Sequence, residues 1–518
     1  MDEPTRLRVI VIVLLWNFVG SQTTTLSIVY QNREIDGETY PGYAIVGDGP
    51  NWRDVGGING VYIPEGEDFS FIYENKLDEQ TILHVHGLLP PSDLDGVPYL
   101  SSLPIQPNRT SLVQYDLNGA TNGSFLIHSH FGFQMGNGLL APLIVEGDDP
   151  EYPLYHEIKN AQQVTMFLED VCPYTSVKYN QKLEEALATG SAIPDTSFNR
   201  EAGKKLLADC SSWDVFLQLA YVFETTYEGP ATCPVTPATA SDIQFTKYIA
   251  NGKSYLSPFI KGNMDFNKPI RVRVINGATS TNFQVVFPFE VVLFATDAQY
   301  INPYSNTTFW VSPGQRLDFL VNVPAHDNSL HYFPVTAWSE TVTGSVPAPI
   351  FISKSANPQI DYNPPTYITG MMDNYLDFVT EPFIRLPIKP VDRKIAIDLT
   401  GDNGFKGING TGYRLPPLVD TFSPNPNPIL VSYGQRAEIV IQNQNIDGHP
   451  MHLHGHVFQI VDIDGRRVNG PMRDVAFVPG GCRNVTIAFD AVNPGTWAFH
   501  CHLEFHLASG MLTTVEYN

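Results

Sequence analysis

The stretch His500-Cys501-His502-Leu503-Glu504-Phe505-His506, with Met511 close behind, gathers one thiol, three imidazoles and a thioether. Side chains on an extended strand alternate between two faces, so Cys501 faces one way and His500 and His502 the other. A thiolate joined by His506 and a more distant Met511 belongs to the ligand set of a blue-copper electron-transfer site, two His and one Cys with a weak axial thioether. The two flanking imidazoles are left to bind other metals on the far side. One covalent segment then joins an electron acceptor to a second metal cluster, an arrangement that predicts redox catalysis.

Three more histidine stretches extend the pattern. His84-Val85-His86-Gly87 and His128-Ser129-His130 each place two imidazoles on one strand face. In His449-Pro450-Met451-His452-Leu453-His454-Gly455-His456, His452 and His454 share a face while His449, an odd number of residues away, points elsewhere. Two imidazoles from each of four motifs thus go to one cluster, and His449, Cys501, His506 and Met511 remain for an isolated copper. Eight imidazoles suit three copper ions with coordination positions left open for oxygen. A lone His-x-His usually reflects packing or solvent, but these motifs use ten of fourteen histidines and interleave a cysteine. Zinc is disfavoured, because a zinc site needs only about four ligands. His456 is expected to orient a ligand through a hydrogen bond, and His156, His326 and His331 to be ordinary surface residues.

In order, spacing and flanking residues the four motifs resemble those of the multicopper oxidases, the laccases, ascorbate oxidases and ferroxidases. The resemblance runs from about residue 40 to the end and is weakest in the middle. It implies four copper ions: type 2 at His84 and His452, one type 3 at His86, His128 and His502, and the other at His130, His454 and His500. It puts type 1 copper on His449, Cys501 and His506, with Met511 as axial ligand and a potential toward the lower side of the family. It also implies three cupredoxin-like domains with the cluster between the first and third. All ligands lie before residue 131 or after residue 448, which agrees with a middle domain that carries none.

Positioning such a site takes a large all-β scaffold. At 518 residues the chain is too long for one core. Short β-branched and aromatic runs recur between Gly, Pro, Asn and Asp, as at Leu112–Tyr115, Arg271–Ile275, Leu317–Val323 and Ala437–Ile441. Together with 41 Pro and 40 Gly, they predict Greek-key β-sandwiches. The expected division is a signal peptide over 1–21, then domains over 22–150, 151–360 and 361–518. Ala141–Val145 and Met511–Glu516 read as terminal strands of the first and last sandwich, and the Pro- and Asn-rich stretch Asn357–Pro365 as a linker. An insertion at about 172–235 in the second domain is rich in helix formers and reads as a surface elaboration rather than a substrate lid.

The apolar run Val9–Val19 before Gly20-Ser21 fits a secretory signal, with an uncleaved anchor as the alternative. Sequons at Asn108, Asn122, Asn306, Asn409 and Asn484 point to a secreted glycoprotein. With Cys501 on copper, Cys172, Cys210, Cys233 and Cys482 form an even set, enough for two disulfides of undetermined pairing. A formal charge of −23 argues against nucleic acid and anionic membrane as partners, since both need positive surface.

Reducing dioxygen to water takes four electrons, and a donor that gives them singly needs a collecting site and a store. The expected partners are O2 and a small reductant. The resemblance marks Asp95, in Asp95-Gly96-Val97-Pro98, and Glu504 as acids that deliver protons, against readings as a turn residue and an exposed strand residue. For the reductant, Asp447 could serve ferrous iron, but Asn445 occupies the place of the expected ferroxidase acid. Thr246, in a stretch resembling the laccase substrate segment, replaces an acid found in many fungal laccases. A laccase-like oxidation of phenols or aromatic amines ranks ahead of Fe(II), with ascorbate third. The rival class, a non-catalytic extracellular cupredoxin-scaffold protein, would be expected to have lost ligands, and this chain keeps them all.

Overall fold

The computed structural model describes residues 22–115, 122–171, 245, 247–324, 329–340, 345–364, 370, 372–402, 405–419, 421–445 and 447–518. The expected signal segment and the whole of the expected insertion, with Cys172, Cys210 and Cys233, lie outside them, as do Thr246 and His326. The described elements are overwhelmingly strands, in three groups that each enclose an apolar core.

In the first group a four-stranded sheet, in which Gln22–Tyr30 and Phe69–Asn75 are the inner strands, faces a five-stranded sheet ending in Gly123–Ser129 and Leu83–His86. Alternating residues such as Leu26, Ile28, Phe69, Phe71, Phe125 and Leu143 fill the space between. The middle group is built on a nine-stranded sheet around Phe283, Leu293, Phe319 and Ile350. In the last group a seven-stranded sheet faces one ordered Ile429–Val431, Leu512–Tyr517, Thr496–Cys501, His449–Leu453 and Val475–Val478. Strand expectations hold closely: Thr110–Tyr115, Leu140–Val145, Ile270–Asn276, Arg436–Asn443 and Leu512–Tyr517 are all present. The expected Leu317–Val323 strand is observed as Arg316–Val321, ending shortly before Pro324.

The last histidine motif departs from the extended reading. Its strand stops at Cys501, and Glu504–Ser509 is a short helix closed by Gly510 in the left-handed conformation (φ 115°). A continued strand would have sent His506 to the side opposite Cys501. The helical turn instead brings it back beside the thiol.

Candidate metal centre

Two antiparallel pairings set the imidazoles. In the first group His84 lies directly opposite His128, and in the last group His452 lies directly opposite His500. Directly paired residues share a face, so each pair presents two rings to the seam between the groups. The second histidine of three motifs, at 130, 454 and 502, follows immediately after its strand ends. The rings interleave across the seam: His86 stacks on His452 at 3.7 Å between centroids, His84 on His454 at 4.0 Å, and His130 edges onto His500 at 5.1 Å.

The nitrogens that face away from the centre of this cage are tied. Nδ1 of His84 lies 2.6 Å from the Asp95 carbonyl, that of His128 3.1 Å from the Ser129 carbonyl, and that of His452 2.8 Å from the Asp474 carbonyl. His500 Nδ1 lies 2.9 Å from the Cys501 carbonyl, and His454 Nδ1 lies 2.9 Å from Asp95 Oδ2. Each of these N–H groups donates outward and leaves the Nε2 lone pair pointing in. Nε2 of His84, His128, His130 and His452 and Nδ1 of His502 are buried with no partner, which is a costly state unless something is bound. Burial, with neighbouring imidazoles adding repulsion, holds His86, His128, His130, His452, His454 and His502 well below the usual histidine range and brings His500 down to about 4. These seven rings are therefore neutral, as metal ligands must be. Groups His84–His86–His128, His84–His452–His454 and His130–His454–His500 each bring their donor atoms within 4.8 Å of one another. The donor set fits copper, for which imidazole is a suitable ligand.

A second set lies wholly within the last group. Cys501 Sγ is 3.6 Å from His449 Nδ1 and 3.5 Å from His506 Nδ1, and the two nitrogens are 3.0 Å apart. Cys501 and Met511 both belong to that group's apolar core, whereas His500 and His502 turn to the cage, His500 against His130 and His454 and His502 against His128. The alternation expected of this strand is thus observed. Backbone bonds from Cys501 N to Met511 O (3.0 Å) and from Met511 N to His506 O (2.9 Å) draw Cys501, His506 and Met511 into one compact loop.

Sequence models described as multicopper oxidase match residues 58–150, 225–347 and 393–518. The chain belongs to the multicopper oxidase family. It is 23% identical to copper resistance protein A of Escherichia coli over 89% of this chain and 88% of that one. It is 27% identical to laccase-1 of Botryotinia fuckeliana, covering 86% and 74%. Its fold matches the crystal structure of Fet3p, a multicopper oxidase that functions in iron import, with a TM-score of 0.73 at 18% identity, over 96% and 91% of the two chains.

The acids of this oxidase are deeply placed. Asp95, 1% exposed, holds His454 through Oδ2 and His84 through its carbonyl, so it bridges the first and last groups as well as preceding the Gly96 turn. Glu504 is not an exposed strand residue. It opens the short helix, and its carboxylate accepts from Gly136 N at 3.1 and 3.2 Å. Burial pushes its pKa up to about 8, against the pull of the Gly136 and Met135 amides and with a smaller push from Asp170. His456 serves a backbone rather than a ring: Nδ1 lies 3.0 Å from the His454 carbonyl and Nε2 2.6 Å from Tyr517 Oη. Near the Cys501 sulfur, the Asn445 amide lies 3.1 Å from His449 Nε2, and the Asp447 carboxylate pairs with the buried ammonium of Lys406 at 2.9 Å.

Sequence reasoning missed Asp474 and Arg316. Asp474 Oδ1 lies 3.0 Å from His86 Nε2, and both its oxygens bind the Arg316 guanidinium at 2.6 Å. The available signal was the charged pair Arg473-Asp474 inside the apolar run Met472 to Val478, since charges in such runs are rarely buried without a partner.

Proposed function

We propose that this oxidase holds four copper ions and couples four one-electron oxidations of phenols or aromatic amines to reduction of O2 to two waters. In this reading His449, Cys501, His506 and axial Met511 hold the type 1 ion, and His84 and His452 the type 2 ion. His86, His128 and His502 hold one type 3 ion, and His130, His454 and His500 hold the other. Bound copper supplies the one-electron couple at the thiolate and the electron store for oxygen at the cage.

The protein's own residues do the rest. Cys501 is covalently adjacent to both His500 and His502, which makes the path between the two ligand sets a bonded one. The outward hydrogen bonds fix each tautomer before metal arrives. Glu504, protonated at neutral pH, is poised to release a proton, and Asp95 holds ligands from two sandwiches while accepting the His454 N–H. The single observation that carries the reading is the set of buried, unpartnered ring nitrogens converging beside a thiolate trio.

Among reductants, ferrous iron is the weaker candidate. Asp447 is already neutralised by Lys406, and Asn445 brings no charge. Relatives named for laccase, iron transport and copper resistance span several donors. We further propose a secreted glycoprotein with a cleaved signal and three domains over 22–150, 151–360 and 361–518. Support comes from the apolar N-terminal run, from five sequon asparagines none of which is buried, and from a half-cystine at Cys482. No described helix is long and apolar enough to cross a membrane.

The test is copper-loaded protein assayed side by side with a phenol, ferrous iron and ascorbate. The expected result is an intense thiolate-to-copper band and oxygen uptake at one O2 per four electrons, fastest with the phenol. Copper-loaded protein without that band, or without oxygen uptake from any donor, would refute the proposal.

A further inference from the structure

Among the described residues the middle group supplies no imidazole to the cage, yet its turn Ser312-Pro313-Gly314-Gln315-Arg316 touches it. Gly314 has φ +81°, and a Cβ there would lie 2.8 Å from both His502 Cδ2 and His86 Cε1. The backbone of this turn therefore walls the two rings directly. Two residues on, Arg316 is fully buried and clasps Asp474 with two parallel bonds, NH1 to Oδ1 and NH2 to Oδ2, each 2.6 Å. The same guanidinium donates to the carbonyls of Ser124 and Gly314, each at 3.0 Å. Asp474 turns to the cage with its remaining capacity: Oδ1 reaches His86 Nε2 at 3.0 Å and its carbonyl takes His452 Nδ1 at 2.8 Å. Behind them Arg473 spans Asp377 and Asp297, and Asp297 accepts the Arg316 backbone N–H.

Among the six cage rings with an outward bond to a carbonyl or carboxylate, His86 is the exception. Its tied nitrogen is Nε2, whereas His84, His128, His452, His454 and His500 are tied through Nδ1. An N–H at Nε2 donating to a carboxylate leaves the lone pair on Nδ1, which faces His502 Nε2 at 3.1 Å. We infer that Arg316 and Asp474 are positioning residues through which the ligand-free sandwich sets the tautomer and orientation of His86, so that this histidine alone among these six offers Nδ1 to the cluster. Arg316 is needed because a buried carboxylate without a countercharge gives up its charge. The carboxylate is needed because Arg316 brings a donor to each oxygen. An amide there would turn its NH2 against a donor, either Arg316 or the His86 N–H, and so favour the opposite tautomer.

The inference rests on the three-copper cage proposed above, and the test keeps the two apart. Holoprotein is prepared as wild type, Asp474→Asn, Arg316→Met and Arg316→Lys. Copper per chain after dialysis, the blue absorption, the paramagnetic resonance signature and the melting temperature are then recorded. Asp474→Asn should keep the full blue band and a near wild-type melting temperature while holding cluster copper about 10–100-fold more weakly. Arg316→Met should show the same loss of cluster copper with the blue band kept, and a lowered melting temperature because it strands a buried carboxylate. Arg316→Lys should fall between them and wild type, because it restores the charge but not the fork. Full copper retention with an unchanged resonance signature in Asp474→Asn would overturn the inference. So would a loss of blue band and melting temperature in step with cluster copper, since that marks a general packing role. Wild-type protein that binds copper at the thiolate alone would overturn the cage itself, and the inference with it.

Discussion

The two ligand sets are built on opposite plans. The thiolate set comes from one sandwich, within the last seventy or so residues, and its sulfur atoms sit in that sandwich's own apolar core. The cage lies on a seam: His86 meets His502 across 416 positions of sequence, and its outward hydrogen bonds run to Asp95, Asp474 and several carbonyls. The ligand positions of the first all belong to that one sandwich, although the helix that carries His506 also packs Phe505 and Ala508 into the middle group's core. The second collects neutral imidazoles that water would otherwise solvate, so it depends on docking of separate sandwiches and on charges that hold each ring in one tautomer.

That contrast can be broken most severely at Cys501. Cys501→Ser should remove the blue band and lower turnover by about three orders of magnitude or more, yet leave cage copper in place. Loss of all copper would show that the two sets are not independent, and metal analysis beside oxygen uptake decides. Next comes Glu504→Gln, expected to cost about 10²–10⁴-fold in turnover with copper content unchanged. Because the Glu504 carboxyl is pushed up to about 8, wild-type turnover should fall as pH rises through that value, and the variant should lose that limb of the profile.

Acid should separate the regions more gently. His86, His128, His130, His452, His454 and His502 of the cage, and His449, are held below the ordinary value of 6.5, so below that pH the unfolded chain binds more protons than the folded one. Stability is then full above about 6.5 and is lost as pH falls toward the folded values, near 4 for His500. Thermal melts of copper-free protein should show this slope, and acid dialysis should release cage copper before thiolate copper. Release in the reverse order would contradict the contrast. The smallest effect is expected at Asp447→Ala. With its carboxylate held by Lys406, ferrous iron turnover should change by less than about fivefold, and a larger loss would put that carboxylate in contact with the donor.

Much of this site was legible from alternation alone. The His84–His86 and His128–His130 pairs, and the opposition of Cys501 to His500 and His502, follow from the strand period of two, and the strands themselves from β-branched runs between turn residues. What alternation could not show was the change of period at Glu504, where six residues of helix redirect His506. Nor could it show which distant charges meet. Arg316 and Asp474 are 158 positions apart, and nothing local to either announces the other. Asp95 was singled out as a proton donor, while its geometry adds a tether between sandwiches.

The seam also bears on how such a protein is made. The thiol pocket draws all its side chains from the last sandwich, with only the His506 helix leaning on the middle group, whereas the cage exists only once the first and last sandwiches have closed on the turn at Gly314. Occupancy of the cage therefore reports correct assembly of the whole chain, and a molecule that has docked wrongly would carry colour without the capacity to consume oxygen.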